Sequence, residues 1–408
     1  MKCRHCHAQL QHVFLDLGHA PPSNAYLSEA QLRAPETTFP LKILVCDTCW
    51  LVQTEDYAAA DELFSSDYAY FSSTSQGWLR HAKAYCDKIT EALHLTRDSF
   101  VIEVASNDGY LLKNFVAAGI PCLGIEPTAS TAEAAEKIGV PVLRAFFGTA
   151  TATKLAQGGR QADLICGNNV YAHVPDIDDF TVGLRIALKP GGTINLEFPH
   201  LKNMIAYNQF DTAYHEHFSY LSLTAVARIF EKAGLRVFDL EELPTHGGSL
   251  RIYGCHQDDP RQATTAMTAM LAEEKDFGLQ DLRLYQAFQQ KADKVKNDFL
   301  GFLIEQKRAG KSVAAYGAAA KGNTLMNYAG LKHDLIGFIC DAAPSKQNKF
   351  MPGSHIPVLP PDELARRKPD WVVILPWNIS SEVLQQHEQI KSWGGRFVVA
   401  VPELKVLP

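Results

Sequence analysis

The chain has 408 residues, too many for one hydrophobic core, so two or three domains are expected. Its formal net charge of −6 gives no general attraction to nucleic acid, and no apolar run is long enough to span a bilayer. The opening Met1-Lys2-Cys3-Arg4-His5-Cys6 carries no apolar leader, and nine cysteines in such a chain suit metal ligation and buried thiols rather than disulfides. A cytoplasmic protein with no membrane or nucleic-acid partner is expected, as a monomer or small homo-oligomer.

In chain order, the first signal is a pair of C-x-x-C turns, Cys3 with Cys6 and Cys46 with Cys49. Four thiolates suit a closed tetrahedral Zn²⁺ site, which is structural because it leaves no open position; an iron–sulfur cluster is the other metal reading. His5 and His7 read as exposed neighbours, and residues 15–22 as a short strand and loop. Residues 66–75 are rich in aromatics and hydroxyls, and read either as a linker anchored in a core or as a lid. A helix is expected over residues 77–95.

Residues 99–102 read as a buried strand running into Glu103-Val104-Ala105-Ser106-Asn107-Asp108-Gly109, then a helix from Tyr110. Strand, tight loop and helix form the first unit of a doubly wound sheet, whose ligands sit outside the carboxyl end of the strand. The loop is neither the dinucleotide fingerprint nor a Walker motif. Glu103 would face a positively charged ligand. Residues 121–127 read as a second strand ending in Glu126-Pro127, where a carboxylate can accept both hydroxyls of a ribose. A later strand from Asp163 leads to Asn168, Asn169 and His173 at the same edge, and Leu188-Lys189-Pro190-Gly191-Gly192 is a turn before the next.

Residues 211–222 concentrate ionisable groups: Tyr214-His215-Glu216-His217 places a phenol, two imidazoles and a carboxylate side by side. Histidine titrates near neutrality and suits general acid–base work. The alternative is a polar helix start capped by Ser222 or Thr224. Thr245-His246-Gly247-Gly248-Ser249-Leu250-Arg251 reads as an anion cradle or as a hairpin turn with a surface arginine. One long helical stretch is expected from about residue 263 to 308. Residues 312–324 then repeat strand, small-residue loop and helix, with Lys321 placed for a phosphate and residues 341–350 available to cover it. Strands at 335–341 and 371–375 complete a second α/β unit.

The acidic first loop, second-strand acid and Leu-Lys-Pro-Gly-Gly turn resemble class I S-adenosylmethionine methyltransferases, with Ala105 and Asn107 replacing two of that loop's three usual glycines. Adding the cysteine pairs, the Tyr-His-Glu-His segment, Thr245–Arg251 and Tyr316-Gly317-Ala318-Ala319-Ala320-Lys321-Gly322, the whole chain resembles the nucleotide-sugar C-methyltransferases. The resemblance implies an α/β protein: a zinc module at 1–60, a class I methyltransferase doubly wound sheet at 61–260, and a C-terminal Rossmann-like domain at 261–408. It implies methylation of a carbon beside the keto group of a nucleotide-linked deoxysugar, typically on dTDP. His217 would be the base, with Glu216, Tyr214, His173 and Tyr68 around it. Tyr70, Glu103, Ser106, Asn107, Gly109, Tyr110, Glu126, Pro127, Asn168 and Asn169 would hold S-adenosylmethionine. His246, Gly248, Ser249, Arg251, Lys321, Asn323 and Lys346 would hold the nucleotide sugar. An O- or N-methyltransferase on a small molecule and a non-catalytic zinc scaffold are the competing functions.

Overall fold

Val101–Val104 is a strand because four residues in a row can be buried on both faces, and the sheet grows from it in both directions. In the computed structural model, which describes residues 1–55, 57 and 71–408, this sheet has seven strands. Its order is Leu235–Leu243, Ser249–His256, Leu188–Pro199, Ala162–Asn168, Val101–Val104, Cys122–Ile125, Val142–Leu143. The last five in that order run parallel, and the first two form an antiparallel hairpin on one side. The chain winds outward from Val101–Val104 on one flank and returns to Ala162–Asn168 on the other. The direction of winding therefore reverses between these two strands.

The loop after Val104 needs left-handed backbone at alternate positions: Ala105, Asn107 and Gly109 have φ of 56°, 49° and 77°. The two non-glycine replacements thus keep the conformation that glycine usually supplies. Gly109 is held most tightly, since a Cβ there would lie 3.0 Å from Val140 and 3.1 Å from Ala135. Gly109→Ala is expected to destabilise the protein by about 2–3 kcal/mol, combining left-handed strain with overpacking. The check is a lower urea midpoint at unchanged slope.

Helix starts follow the sequence signals. Ser75 caps Gln76–Ala92 by accepting from Trp78, and Ser222 caps Leu223–Lys232 by accepting from Ala225. Within residues 211–222, the capped helix is therefore real but begins after the ionisable cluster. The expected helix of residues 263–308 is three: Thr265–Phe277, Leu282–Gln286 and Phe288–Arg308. Gly278, at φ 98°, ends the first as a left-handed cap, and Asp281 starts the second. Met267 and Met270 of the first helix pack into the core with Ile229 and Phe230, so this helix belongs to the large sheet although it follows residue 260.

A second seven-stranded sheet has the order Lys349–Phe350, Pro357–Leu359, Ile339–Cys340, Val313–Tyr316, Trp371–Ile374, Arg396–Val399, Lys405–Leu407. It too reverses direction, on either side of Val313–Tyr316. Its strand from residue 335 is only Ile339–Cys340, because a turn occupies Lys332 to Ile336.

The N-terminal sheet is antiparallel: His12–Ala20, Phe39–Val45, Val52–Thr54 and then Ser219–Tyr220. The nine-residue first strand replaces the short strand and loop expected there. The fourth strand comes from far along the chain, directly after His217. The N-terminal module and the ionisable segment are therefore one folding unit, not neighbours across a linker.

Candidate active site and metal centre

Ligands bind open α/β sheets outside the carboxyl strand ends where the winding reverses. Here both sheets turn that crevice toward the same space, a cavity of about 840 Å³. The large sheet contributes Val104, Ala105 and Asn107, with Asn168 and Asn169; the second sheet contributes Ala319 to Lys321, with Pro376, Asn378 and Ile379. The Tyr214–His217 segment lies between them.

On the large-sheet side, Glu126 organises the loop. One carboxylate oxygen accepts from the Asn107 backbone at 3.0 Å and the other from Thr128 at 2.9 Å. A carboxylate has about four acceptor positions, so it retains capacity toward the cavity. Asn107 accepts from the Ser72 backbone at 2.9 Å and Asp108 from Ser73 at 3.0 Å, which fixes the chain entering Gln76–Ala92 over the loop. The Asn168 side-chain amide is buried with no hydrogen-bond partner among the described residues. Buried amides are normally satisfied, so this one marks a ligand position.

On the other side, Tyr214 to His217 is a turn closed by the His217 N–H on the Tyr214 carbonyl at 2.9 Å. The turn presents Tyr214, Glu216 and His217 to the cavity and sends His215 away, where its Nε2 meets the carbonyls of Phe39 and Pro40. His217 Nδ1 lies 2.9 Å from the Thr212 carbonyl. A carbonyl only accepts, so Nδ1 carries the proton and Nε2 holds the basic lone pair. Burial pushes His217 well below the ordinary histidine range, and His173 and Lys321 add to it, so the ring is neutral at physiological pH. The ring centroids of His173 and Tyr214 lie 4.6 and 4.0 Å from that of His217. Burial holds His173 at about 4. His246, also pushed to about 4 by burial and Lys321, takes a hydrogen bond at 2.8 Å from the Asn169 amide.

Two cations complete this half. Lys321 is half-buried over the Trp377 ring at 4.5 Å; desolvation lowers its pKa and Asp211 opposes the shift. Asp211 is itself raised to about 6 by burial and receives Trp377 Nε1 at 2.8 Å. Lys346 lines the cavity and donates to the Ala318 carbonyl at 2.8 Å.

Several expected contacts lie elsewhere. Glu103 does not face the ligand space: it is buried behind the loop, and desolvation, with Asp108 and Glu126 nearby, pushes its carboxyl well above the usual range. Ser106 and Gly109 shape the loop from behind, Ser106 against Gly124. Residues 245–248 form a hairpin connection and 249–251 begin its second strand, so the run is not an open cradle. Gly248 packs against Asn203, Ser249 donates to the Thr245 carbonyl, and only His246 of this run lines the cavity. Arg251 is neither at the surface nor free for an anion. It is 3% exposed and bonds Glu197 at 2.5 Å and Glu241 at 3.0 Å. Asn323 turns back to its own helix, where it accepts from Asn327. Tyr68 and Tyr70 lie outside the described residues. Sequence reasoning missed Asn24, Trp78, Phe146, Asn378 and Ile379, all of which line the cavity. The strand-end rule applied to the second sheet would have found Asn378 and Ile379; nothing local marks Asn24.

The four cysteines converge. Their Sγ atoms all lie within 4.8 Å of one another, close to the roughly 3.8 Å that a tetrahedral zinc–thiolate site requires. Both turns are built alike. His7 N–H reaches the Cys3 carbonyl and Trp50 N–H the Cys46 carbonyl, with both residues at positive φ, and Cys3 and Cys46 bond Ala8 and Leu51 in the same way. Gln53 Nε2 lies 3.2 Å from Cys3 Sγ, a donor that stabilises thiolate. His5, expected at the surface, is buried and bonds Asp178 at 2.7 Å, docking the module on helix Ile177–Ala187.

Among the described residues, no helix is long and apolar enough to cross a membrane. Three family models match in succession: "Putative zinc binding domain" at 3–64, "Methyltransferase domain" at 78–240 and "C-methyltransferase C-terminal domain" at 244–402. The C-methyltransferase NovU of Streptomyces niveus is 33% identical over 406 residues, covering 100% of this chain and 96% of its own. Among solved structures, a SAM-dependent methyltransferase from Anabaena variabilis is 16% identical, covering 42% of this chain and 83% of its own at a TM-score of 0.35. The glycopeptide N-methyltransferase MtfA complexed with S-adenosyl-L-methionine is 11% identical, covering 43% and 93% at 0.33. The chain is a methyltransferase that belongs to the C-methyltransferase family.

Proposed function

We propose that the enzyme methylates the carbon beside the keto group of a nucleoside-diphosphate 4-keto-6-deoxysugar, dTDP-linked, with His217 as the base. One observation carries this reading: a buried, neutral imidazole with its Nε2 lone pair available stands between the ligand crevices of two nucleotide-binding-type sheets. Asn107, Tyr110, Glu126, Pro127, Asn168 and Asn169 would hold S-adenosylmethionine, Glu126 through the ribose. When bound, it supplies a methyl group already activated on a sulfonium. The chain's own task is to make carbon nucleophilic. His217 Nε2 takes the proton beside the carbonyl, and the Thr212 carbonyl holds the ring as its charge develops. Tyr214 or His173 stabilises the oxyanion. Lys321 and Lys346 face the diphosphate, with His246 beside them. The cysteine cluster would hold zinc as a closed structural site.

The test is deuterium uptake from D₂O into a dTDP-4-keto-6-deoxysugar, read by mass spectrometry. The wild type is expected to exchange one carbon-bound hydrogen without cofactor and to add a methyl group when S-adenosylmethionine is supplied. Neither exchange nor methyl gain across several keto-sugars would return the reading to heteroatom methylation.

A further inference from the structure

The cysteine module touches the reacting residues directly, through contacts that a remote stabilising domain would not need. Strand Val52–Thr54 begins three residues after Cys49. Thr54 donates its backbone N–H to the Phe218 carbonyl at 3.1 Å and its hydroxyl to the carbonyl of His217 itself. Arg4 lies inside the first cysteine turn. Its guanidinium bonds the Thr54 carbonyl at 3.0 Å and the Pro175 carbonyl at 2.6 Å, and stacks 5.5 Å from the Phe218 ring. Pro175 follows two residues after His173. One side chain from the metal turn therefore ties the chain carrying His217 to the chain carrying His173. From the same module, Asn24 donates to both Glu216 oxygens at 2.8 and 2.9 Å. The backbone of Arg4 bonds Gln53, and Gln53 bonds Cys3 Sγ, which fixes Gln53 on the cysteine turn. Through Arg4 to Thr54 and Thr54 to His217, the cysteine turn and the catalytic turn are two hydrogen bonds apart.

We propose that Arg4 and Thr54 are positioning residues for the reaction, and that the cysteine module sets the approach of His173 to His217. The rings meet edge to face at 4.6 Å although they come from different elements, 44 residues apart by number. The His173 ring is also hydrogen-bonded to the backbone of Glu216, next to His217, so the approach depends on how the two backbones are held. Thr54 and Arg4 tie those backbones to the cysteine module. A displacement of about 1 Å at a reacting group costs up to about 100-fold in rate. The inference deepens the assignment of His217 as base and rests on it for its effect on turnover, but the positional claim has its own readout.

The variants are Thr54→Val, which removes the hydroxyl at nearly constant shape, and Arg4→Met, which keeps a stem without the guanidinium. Thr54→Ser is the conservative control. Protein labelled with ¹⁵N-histidine gives the His217 ring resonance, assigned by its loss in His217→Asn. S-adenosylmethionine affinity by calorimetry reports that each variant is folded. The first two variants are expected to shift the His217 resonance and slow deuterium exchange by about 10- to 100-fold, with cofactor affinity unchanged, while Thr54→Ser matches wild type. An unmoved resonance in either variant with normal cofactor affinity overturns the proposal, as does a moved resonance with an unchanged exchange rate. If the wild type itself exchanges nothing, the base assignment falls, and a shifted resonance in both variants still upholds the positional claim.

Discussion

His217→Asn is expected to lose about 10²- to 10⁴-fold in both deuterium exchange and methyl transfer, the usual contribution of a positioned general base. Asparagine suits the test because its amide can still donate to the Thr212 carbonyl, which holds Nδ1 at 2.9 Å, while nothing stands where Nε2 was. Cofactor affinity is expected to remain, since His217 sits on the side of the cavity opposite Glu126 and Asn107. The pH profile separates a base from a mere packing residue. Burial, reinforced by His173 and Lys321, lowers the His217 pKa well below the ordinary histidine value of about 6.5. The wild-type rate should therefore be on its plateau at neutral pH and fall only as pH drops through that depressed value, where Nε2 binds a proton. The residual rate of His217→Asn should lack that limb. Wild-type-level exchange in the variant would remove His217 from the chemistry and leave the cavity without a neutral base on its turn.

What the sequence revealed was local. Two C-x-x-C turns fix their own geometry within a few residues, so the cluster could be read without knowing the fold. The loop from Glu103 to Gly109 was readable for the same reason: asparagine tolerates left-handed backbone, and Asn107 adopts it. The ionisable groups at 214–217 were visible as a cluster, and three of the four line the cavity. His215 shows the limit, because a turn separates neighbours that a list of residue types places together.

What the sequence hid was long-range. Asn24 reaches Glu216 across 192 residues, and Arg4 reaches Pro175 across 171. Glu103 misled because an acid at a strand end looks ligand-facing. Successive strand residues point to opposite faces, and Val104, not Glu103, meets the cavity. The break at Gly278 was visible as a glycine, but the assignment of Thr265–Phe277 to the large sheet's core depended on Met267 and Met270 finding Phe230, which no periodicity records.

Arg251 is the residue whose sequence reading failed most completely, and its replacement should cost the most stability. Its neighbours Gly247, Gly248 and Ser249 suggested an anion cradle. Its actual partners are Glu197, 54 residues away, and Glu241 across the hairpin, with the Tyr85 ring 4.4 Å beneath. Glu197 is fully buried and also bonds His81 at 2.8 Å and Thr245 at 2.8 Å. Burial alone would raise its pKa; the His81 hydrogen bond and the charge of Arg251 overcome this and pull it to about 2. Arg251→Met therefore strands a buried carboxylate, at a cost of about 3 kcal/mol, the low end for a broken buried pair because His81 and Thr245 remain. For a unit of this size that is a fall of roughly 6–12 °C in thermal midpoint. Arg251→Lys should recover little, since a point charge cannot bridge two carboxylates as a planar fork does. The double variant Arg251→Met with Glu197→Gln should recover part of the loss, because the uncompensated charge is gone. The linkage has a definite sign. A carboxyl whose folded pKa lies below its unfolded value of about 4.3 contributes stability that is complete above that value and is lost as pH falls toward 2. The wild-type advantage over the double variant should thus shrink across that acid window. An advantage constant from pH 7 to pH 2 would mean that Arg251 acts through its packing on Tyr85 and not through Glu197.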